Sequence, residues 1–289
     1  MTYQTIVEQL SVDFGDNTMP VLCNDTSGIV DIGTDFVFDA LNPACYAAGV
    51  LPSVNGSVPA GGLVNLARDL APAISTNTRT VTATPRDPAN LPIFDGKGWQ
   101  INPTTQKGFQ LNKLGVPNYR IGEPALEGFL NSLLIAWFKV SAGTTSGNYP
   151  TPVFLGQNGS GSQGYGGFIV SANSDDVIFS PPSSGESVTA AVGQLIQIGL
   201  YMAYNTGSGS TTLAMYLNGQ QVASGVSGTA PNSISSNNTN ASAGIGWNQS
   251  CSDLVGSLYR VVRAFPGLSG ANPLTVVQDD YAYGLPRFS

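Results

Sequence analysis

From about Gly33 onward the chain alternates short apolar runs with clusters of Gly, Pro, Asn and Ser. That punctuation predicts an all-β fold of many short strands joined by turns. In LNSLLIAWFKVSA, Leu133, Ile135 and Trp137 share one parity and Leu134, Ala136, Phe138 and Val140 the other, so both faces of this strand must be covered. In TTLAMYLNGQQVASG, Leu213, Met215 and Leu217 point one way. Asn218-Gly219 then supplies the positive-φ pair of a type I′ turn before Gln220 and Val222 return, which predicts a hairpin. GQLIQIGLYMAYN (193–205) and GSLYRVVRAF (256–265) are too rich in β-branched and aromatic residues to be loops, and the second suggests a central strand. The glycine-rich stretches 156–167 and 227–244 are flanked by strand-like segments and are expected to be long surface loops of one domain.

Residues 1 to about 30 differ. TIVEQL has a short helical spacing, and DFGDNTMPVLCNDTSG is dense in turn formers. We expect an N-terminal arm over 1–30, an assembly segment that orders against a neighbouring subunit, and a sandwich over 31–289. The alternative, that the segment is simply the first part of the same domain, stays open.

Composition narrows the chemistry. Among 289 residues there is no histidine, which removes Ser-His-Asp and Cys-His nucleophilic systems and His-ligated zinc. Charged residues make up 10% of the chain, well below the ~25% of ordinary soluble domains. With 11 Lys plus Arg against 18 Asp plus Glu and no basic cluster, nucleic acid and anionic membranes are not expected partners. The N-terminus has no basic segment leading into an apolar core of the kind that marks a secretory signal. The apolar run LLIAWFKV is far shorter than the ~20 residues of a membrane-spanning helix. Three cysteines are too few for a disulfide framework. A Cys23–Cys45 bridge is one reading and buried thiols the favoured one.

Taken in order, VFDALNP (37–43), GGLVNLARDLAP (61–72), LPIFDGKGWQI (91–101), LLIAWFKV (133–140), LAMYLNGQQVASG (213–225) and IGWNQSCSDLVGSLYRVVRAFPGLSG (245–270) resemble a concanavalin A-like lectin/glucanase, or laminin-G-like, domain. The resemblance implies a jelly-roll sandwich of two antiparallel sheets from about residue 35 to the C-terminus, whose closing strands end the fold. It implies that Phe94-Asp95-Gly96 is a structural turn, with Phe94 packed inward, rather than a site built on Asp95.

Glucanases of this superfamily carry glutamate, any residue, aspartate, two more, then glutamate on one strand, which sets two carboxylates on one face. This chain lacks it. Its glutamates are Glu8, Glu123, Glu127 and Glu186, with Glu123 and Glu127 placed on a short helical turn, so no catalytic residue and no enzymatic activity are expected. Asp175-Asp176, Asp253 and Asp279-Asp280 are the candidate cation ligands. Adjacent acids on a strand face opposite ways, which favours solvated turns over a metal site, and no cofactor is expected. Sugar binding needs an exposed aromatic and a few polar readers. Tyr165, Trp99, Trp247 and Tyr281 are the candidates, with Tyr165 the best placed for exposure, whereas Trp137 is expected in the core. The composition and the arm resemble proteins of bacteriophage particles. This implies a structural virion protein, in capsid decoration or a tail or fibre, made in the host cytoplasm and partnered by other virion proteins, by itself and by host-surface polysaccharide. A carbohydrate-binding module or adhesin without a virion role is the alternative.

Overall fold

The computed structural model describes residues 27–31, 33–67, 81–102, 105–113, 131–141, 153–157, 169–172, 176–180, 188–205, 208, 210–227, 241–245 and 254–289. The strands in chain order are β1 (Thr34–Asp39), β2 (Gly56–Ser57), β3 (Val81–Pro85), β4 (Ile93–Phe94), β5 (Trp99–Ile101), β6 (Phe109–Lys113), β7 (Asn131–Val140) and β8 (Val153–Gln157). They continue as β9 (Ile169–Ala172), β10 (Asp176–Ser180), β11 (Val188–Ala191), β12 (Ile196–Asn205), β13 (Ser210–Leu217), β14 (Gln220–Ser227), β15 (Ala241–Ile245) and β16 (Gly256–Ala264). Helices α1 (Pro266–Ser269) and α2 (Pro273–Phe288) end the chain.

The fold is an all-β sandwich of antiparallel sheets. Among the described residues the large sheet has the order β14-β13-β12-β7-β16-β5-β4-β2, with β1 joining β16 beside β5. A second sheet runs β3-β6-β15-β8, and β11-β10-β9 form a third, smaller one. The first two pack face to face. Trp99 of β5 meets Phe109 of β6 edge-on at 5.4 Å, and Ala83, Leu111 and Ile245 of the second sheet share one core with Leu134, Phe138 and Leu258 of the first.

The turn chemistry read from the sequence is what builds the large sheet. Asn218 and Gly219 take φ of 49° and 79°, and Leu217 pairs with Gln220 across the two-residue loop. In FDGKG, Phe94 pairs with Trp99, and Asp95 closes the loop between them. Its backbone N–H donates to Gly98 O at 3.0 Å, and its Oδ1 accepts from the amides of Lys97 at 2.9 Å and Gly98 at 2.7 Å. Its Oδ2 accepts from Ser257 Oγ at 2.8 Å, which ties the turn to β16. The Phe-Asp-Gly stretch is therefore structural, and Phe94 is buried as expected.

Covering both faces of β7 takes two different layers. Leu134, Ala136 and Phe138 face the second sheet, whereas Leu133, Ile135 and Trp137 face outward and would be wet in a bare sandwich. Helix α2 lies on that outer face. It is a departure from the expectation that closing strands end the fold, and its N-terminus is well marked. Asn272 accepts from the amides of Leu274 and Thr275, and Pro273 stands at the first helical position.

The arm expected over residues 1–30 falls mostly outside the described residues. Its last part packs on the sandwich, since Ile29 is in the core and Ser27 Oγ accepts from Arg260. Cys45 is a buried thiol, while Cys23 and Cys251 lie outside the described residues. No helix among the described residues is long and apolar enough to cross a membrane.

Gly219 carries two constraints at once, a left-handed φ and a Cβ position only 3.1 Å from the Tyr281 ring. Gly219→Val should therefore lower unfolding stability by about 2–3 kcal/mol, through backbone strain and displacement of Tyr281. Urea unfolding checks this, and an unchanged midpoint would show that the turn tolerates a side chain.

Candidate functional site

The residues with chemical potential gather between the outer face of the large sheet and α2. How they reach that face depends on two register slips. On β16, Leu258 pairs with Phe138 and Arg260 with Trp137, so Tyr259 is an extra residue. Without that bulge Leu258 and Arg260 would point the same way; with it, Leu258 enters the core and Arg260 turns outward beneath α2. On β1 a slip between Thr34 and Phe36 sets Asp35 out of register, and its carboxylate meets Arg263 at 3.3 Å. Arg263 shares the inner face with Leu134, opposite to Arg260.

Arg260 is fully buried and meets two fully buried carboxylates. Its Nε donates to Asp280 Oδ1 and its Nη1 to Asp39 Oδ2, both at 2.8 Å, while Nη2 donates to Ser27 Oγ at 3.0 Å. Asp39 is also clamped by Arg287 of α2, through Nη1 to Oδ2 at 2.6 Å and Nη2 to Oδ1 at 3.1 Å. The other oxygen of Asp280 accepts from Trp137 Nε1 at 2.6 Å and Gln197 Nε2 at 2.9 Å. Gln197 extends the network by donating to Val277 O at 3.0 Å and accepting from Gly219 N at 2.9 Å. Two guanidiniums and two carboxylates thus balance in charge.

Aromatic packing completes the helix-to-sheet contact. Trp137 stacks on Tyr281 at 5.6 Å and 9°, and meets Phe288 edge-on at 5.5 Å. Gly284 lets α2 approach the sheet closely, since a Cβ there would lie 2.6 Å from the Trp137 ring. The guanidiniums of Arg260 and Arg287 lie over the Tyr283 ring at 5.1 and 4.3 Å.

On the inner side, burial pushes the Arg263 guanidinium down to about 10 against the opposing pull of Asp35. Burial also raises the phenols of Tyr46, Tyr201, Tyr216 and Tyr259.

Of the four expected sugar-contact residues, Trp99 and Tyr281 fall among the described ones. Trp99 is fully buried, with its Nε1 donating to Tyr46 Oη at 3.0 Å, so the idea that it stacks on a sugar is corrected: no face of its ring reaches solvent. Tyr281 is half-buried and has one face on Trp137. Tyr165 and Trp247 lie outside the described residues, as do Asp175, Asp253 and all four glutamates. Asp279-Asp280 does not sit on a strand or turn. The helix separates the two acids by about 100°, leaving Asp279 exposed and Asp280 inside the ionic network. Among the described residues no cluster of three or more acids, Cys or His could hold a metal.

No family model matches the chain, and no curated protein matches it. Among solved structures it is similar to Trypanosoma rangeli sialidase in complex with sialic acid, at TM-score 0.51 and 12% identity over 90% of this chain and 35% of that one. A second structure of Trypanosoma rangeli sialidase matches at TM-score 0.50, with the same identity and coverage. Domain 4 of AbnA, an extracellular arabinanase from Geobacillus stearothermophilus, in complex with arabinotriose, matches at TM-score 0.38 and 14% identity over 85% of this chain and 97% of that one. The chain spans about a third of the length of the sialidase chains. What it shares with them is the fold, a lectin-like β-sandwich.

Two outcomes follow from this geometry. Asp280→Ala removes one partner of a buried guanidinium and should cost about 3–5 kcal/mol of stability, whereas a surface control, Asp279→Ala, should cost under about 0.5 kcal/mol. Denaturant unfolding of the pair measures the difference. The raised phenols bind their protons more tightly when folded, so their contribution to stability is complete below the ordinary tyrosine value near 10 and falls as pH rises above it. Absorbance titration at 295 nm should show Tyr46, Tyr201, Tyr216 and Tyr259 ionising later than the other tyrosines, with the delay abolished in denaturant.

Proposed function

We propose that the chain is a non-catalytic, lectin-like β-sandwich that binds carbohydrate. The observation that carries this reading is how its placed carboxylates are used. Asp39 and Asp280 neutralise Arg260 and Arg287, Asp35 faces Arg263, and Asp95 caps a turn. Glycoside hydrolysis needs two carboxyl groups flanking a bond, about 5–9.5 Å apart and open to substrate. Asp39 and Asp280 are instead sealed around a guanidinium. The carbohydrate part of the reading is supported by the sandwich shared with a sialidase structure that holds sialic acid.

A second reading gives the domain a structural place in a bacteriophage particle, with residues 1–30 as the assembly arm, other virion proteins and its own copies as partners, and host-surface polysaccharide as the ligand. Its support is compositional: no histidine, 10% charged residues and a turn-rich N-terminal segment. The two readings are compatible, because a particle protein can carry a glycan-binding face.

Affinity electrophoresis through gels containing soluble polysaccharide should retard the chain, while reducing-sugar assays on β-glucans should show no release. Sugar release abolished by Asp95→Asn would overturn the non-catalytic reading, and unretarded migration in every gel would remove the carbohydrate one. Deleting residues 1–26 should leave a soluble domain that melts cooperatively but elutes as a smaller species than the full chain. An unfolded product would place that segment in the core.

A further inference from the structure

Helix α2 does not cover the whole outer face. Val277 reaches as far as Gly199, where a Cβ would lie 3.2 Å from its Cγ2 and 3.1 Å from the Tyr216 ring, so Tyr216 leans over the glycine at the foot of the helix. Two residues further along β12, Tyr201 stands on the same face, paired with Leu133 on one side and Ala214 on the other. It is half-buried, packed against the core along one side. Around it the sheet is low and uncharged. Ala214 is small, while Thr212, Ser224 and Gln221 of the neighbouring strands are exposed on this face.

Three features separate this patch from an ordinary sheet surface. The aromatic has small residues at Gly199 and Ala203 along its strand and at Ala214 beside it, so a flat ligand can approach its ring from that side. Neither the Tyr201 nor the Tyr216 hydroxyl has a hydrogen-bond partner among the described residues, and burial raises both phenols, with Tyr201 adding to the rise at Tyr216. No Lys, Arg, Asp or Glu stands among these six residues, in a chain of net charge −7.

We propose that this face is a stacking platform for a neutral glycan, with Tyr201 under the sugar ring and the exposed Thr212, Ser224 and Gln221 side chains reading its hydroxyls. The proposal rests on the carbohydrate-binding reading and adds to it a location and a ligand class. An apolar ring face set among a few convergent polar groups suits a pyranose, whose axial C–H groups seek an aromatic and whose hydroxyls need partners. The lack of Lys or Arg among these six residues argues against an acidic sugar, because none of them could pair with its carboxylate.

Isothermal titration of the full chain with cellohexaose, mannohexaose, xylohexaose and 3′-sialyllactose tests it. At least one neutral oligosaccharide should bind, and Tyr201→Ala should weaken it about tenfold or more, equivalent to about 1.4 kcal/mol. Tyr201→Phe should keep most of the affinity. Ser224→Arg, at an exposed position where folding is not at stake, should also block binding, and thermal melting confirms that each variant is folded. If the neutral sugar binds but folded Tyr201→Ala and Ser224→Arg both retain full affinity, the platform is wrong while the carbohydrate reading stands. Binding of 3′-sialyllactose alone would overturn the neutral class. If none of the four binds, the platform is overturned, and retardation in the polysaccharide gels decides separately whether the carbohydrate reading stands.

Discussion

A guanidinium with no access to water has to be neutralised, and the rest of this structure is arranged around doing so for Arg260. Burying an ion without a partner costs several kcal/mol even after relaxation. Asp39 comes from the first strand of the sandwich, Arg260 from the last and Asp280 from the C-terminal helix, 241 positions after Asp39 in sequence. The network therefore closes only when strand pairing and helix docking are both complete. Trp137, Gln197 and Arg287 bond to the same two carboxylates, so each element packed there also constrains the others.

This arrangement explains a sandwich with a helix on its back. A strand that is apolar on both faces needs two covers, and β7 receives the second sheet on one side and α2 on the other. The helix presents an unusual buried stripe to the sheet. Val277, Asp280, Gly284 and Phe288 contribute one aliphatic, one acid, one residue without a side chain and one aromatic. Gly284 lets the backbone approach Trp137, and Asp280 takes the indole hydrogen bond that a buried Trp seeks. Specific polar partners thus align the helix where apolar area is limited.

The same use of carboxylates shapes the functional reading. Among the described residues Asp35, Asp39, Asp95 and Asp280 are engaged in holding the fold, and the proposed recognition falls to neutral groups. The stretch of sheet beyond the first turns of α2 is where such groups collect. Burial raises the Tyr201 and Tyr216 phenols there, and the neighbouring strands add Thr212, Ser224 and Gln221 to the same face.

Local rules were sufficient for the parts of the fold that depend on near neighbours. Asn218-Gly219 announces its turn because few other pairs accept positive φ at both positions, and FDGKG closes on its own aspartate within four residues. The two-faced pattern of β7 required two covers without saying what the second was. Helix α2 does carry a start signal in Asn272-Pro273, but its inward stripe is broken by Asp280 and Gly284, so an apolar period is hard to see. Asp279-Asp280 looks like a solvated pair for the same reason: the partner that buries one of them lies on a strand twenty residues earlier. Trp99 and Tyr281 are equally aromatic as letters, yet one is sealed against Tyr46 and Phe109 and the other sits at the rim of a helix. Exposure, register slips such as those at Asp35 and Tyr259, and charge pairing between the first and last strands are properties of distant contacts. They come into existence only when the chain closes.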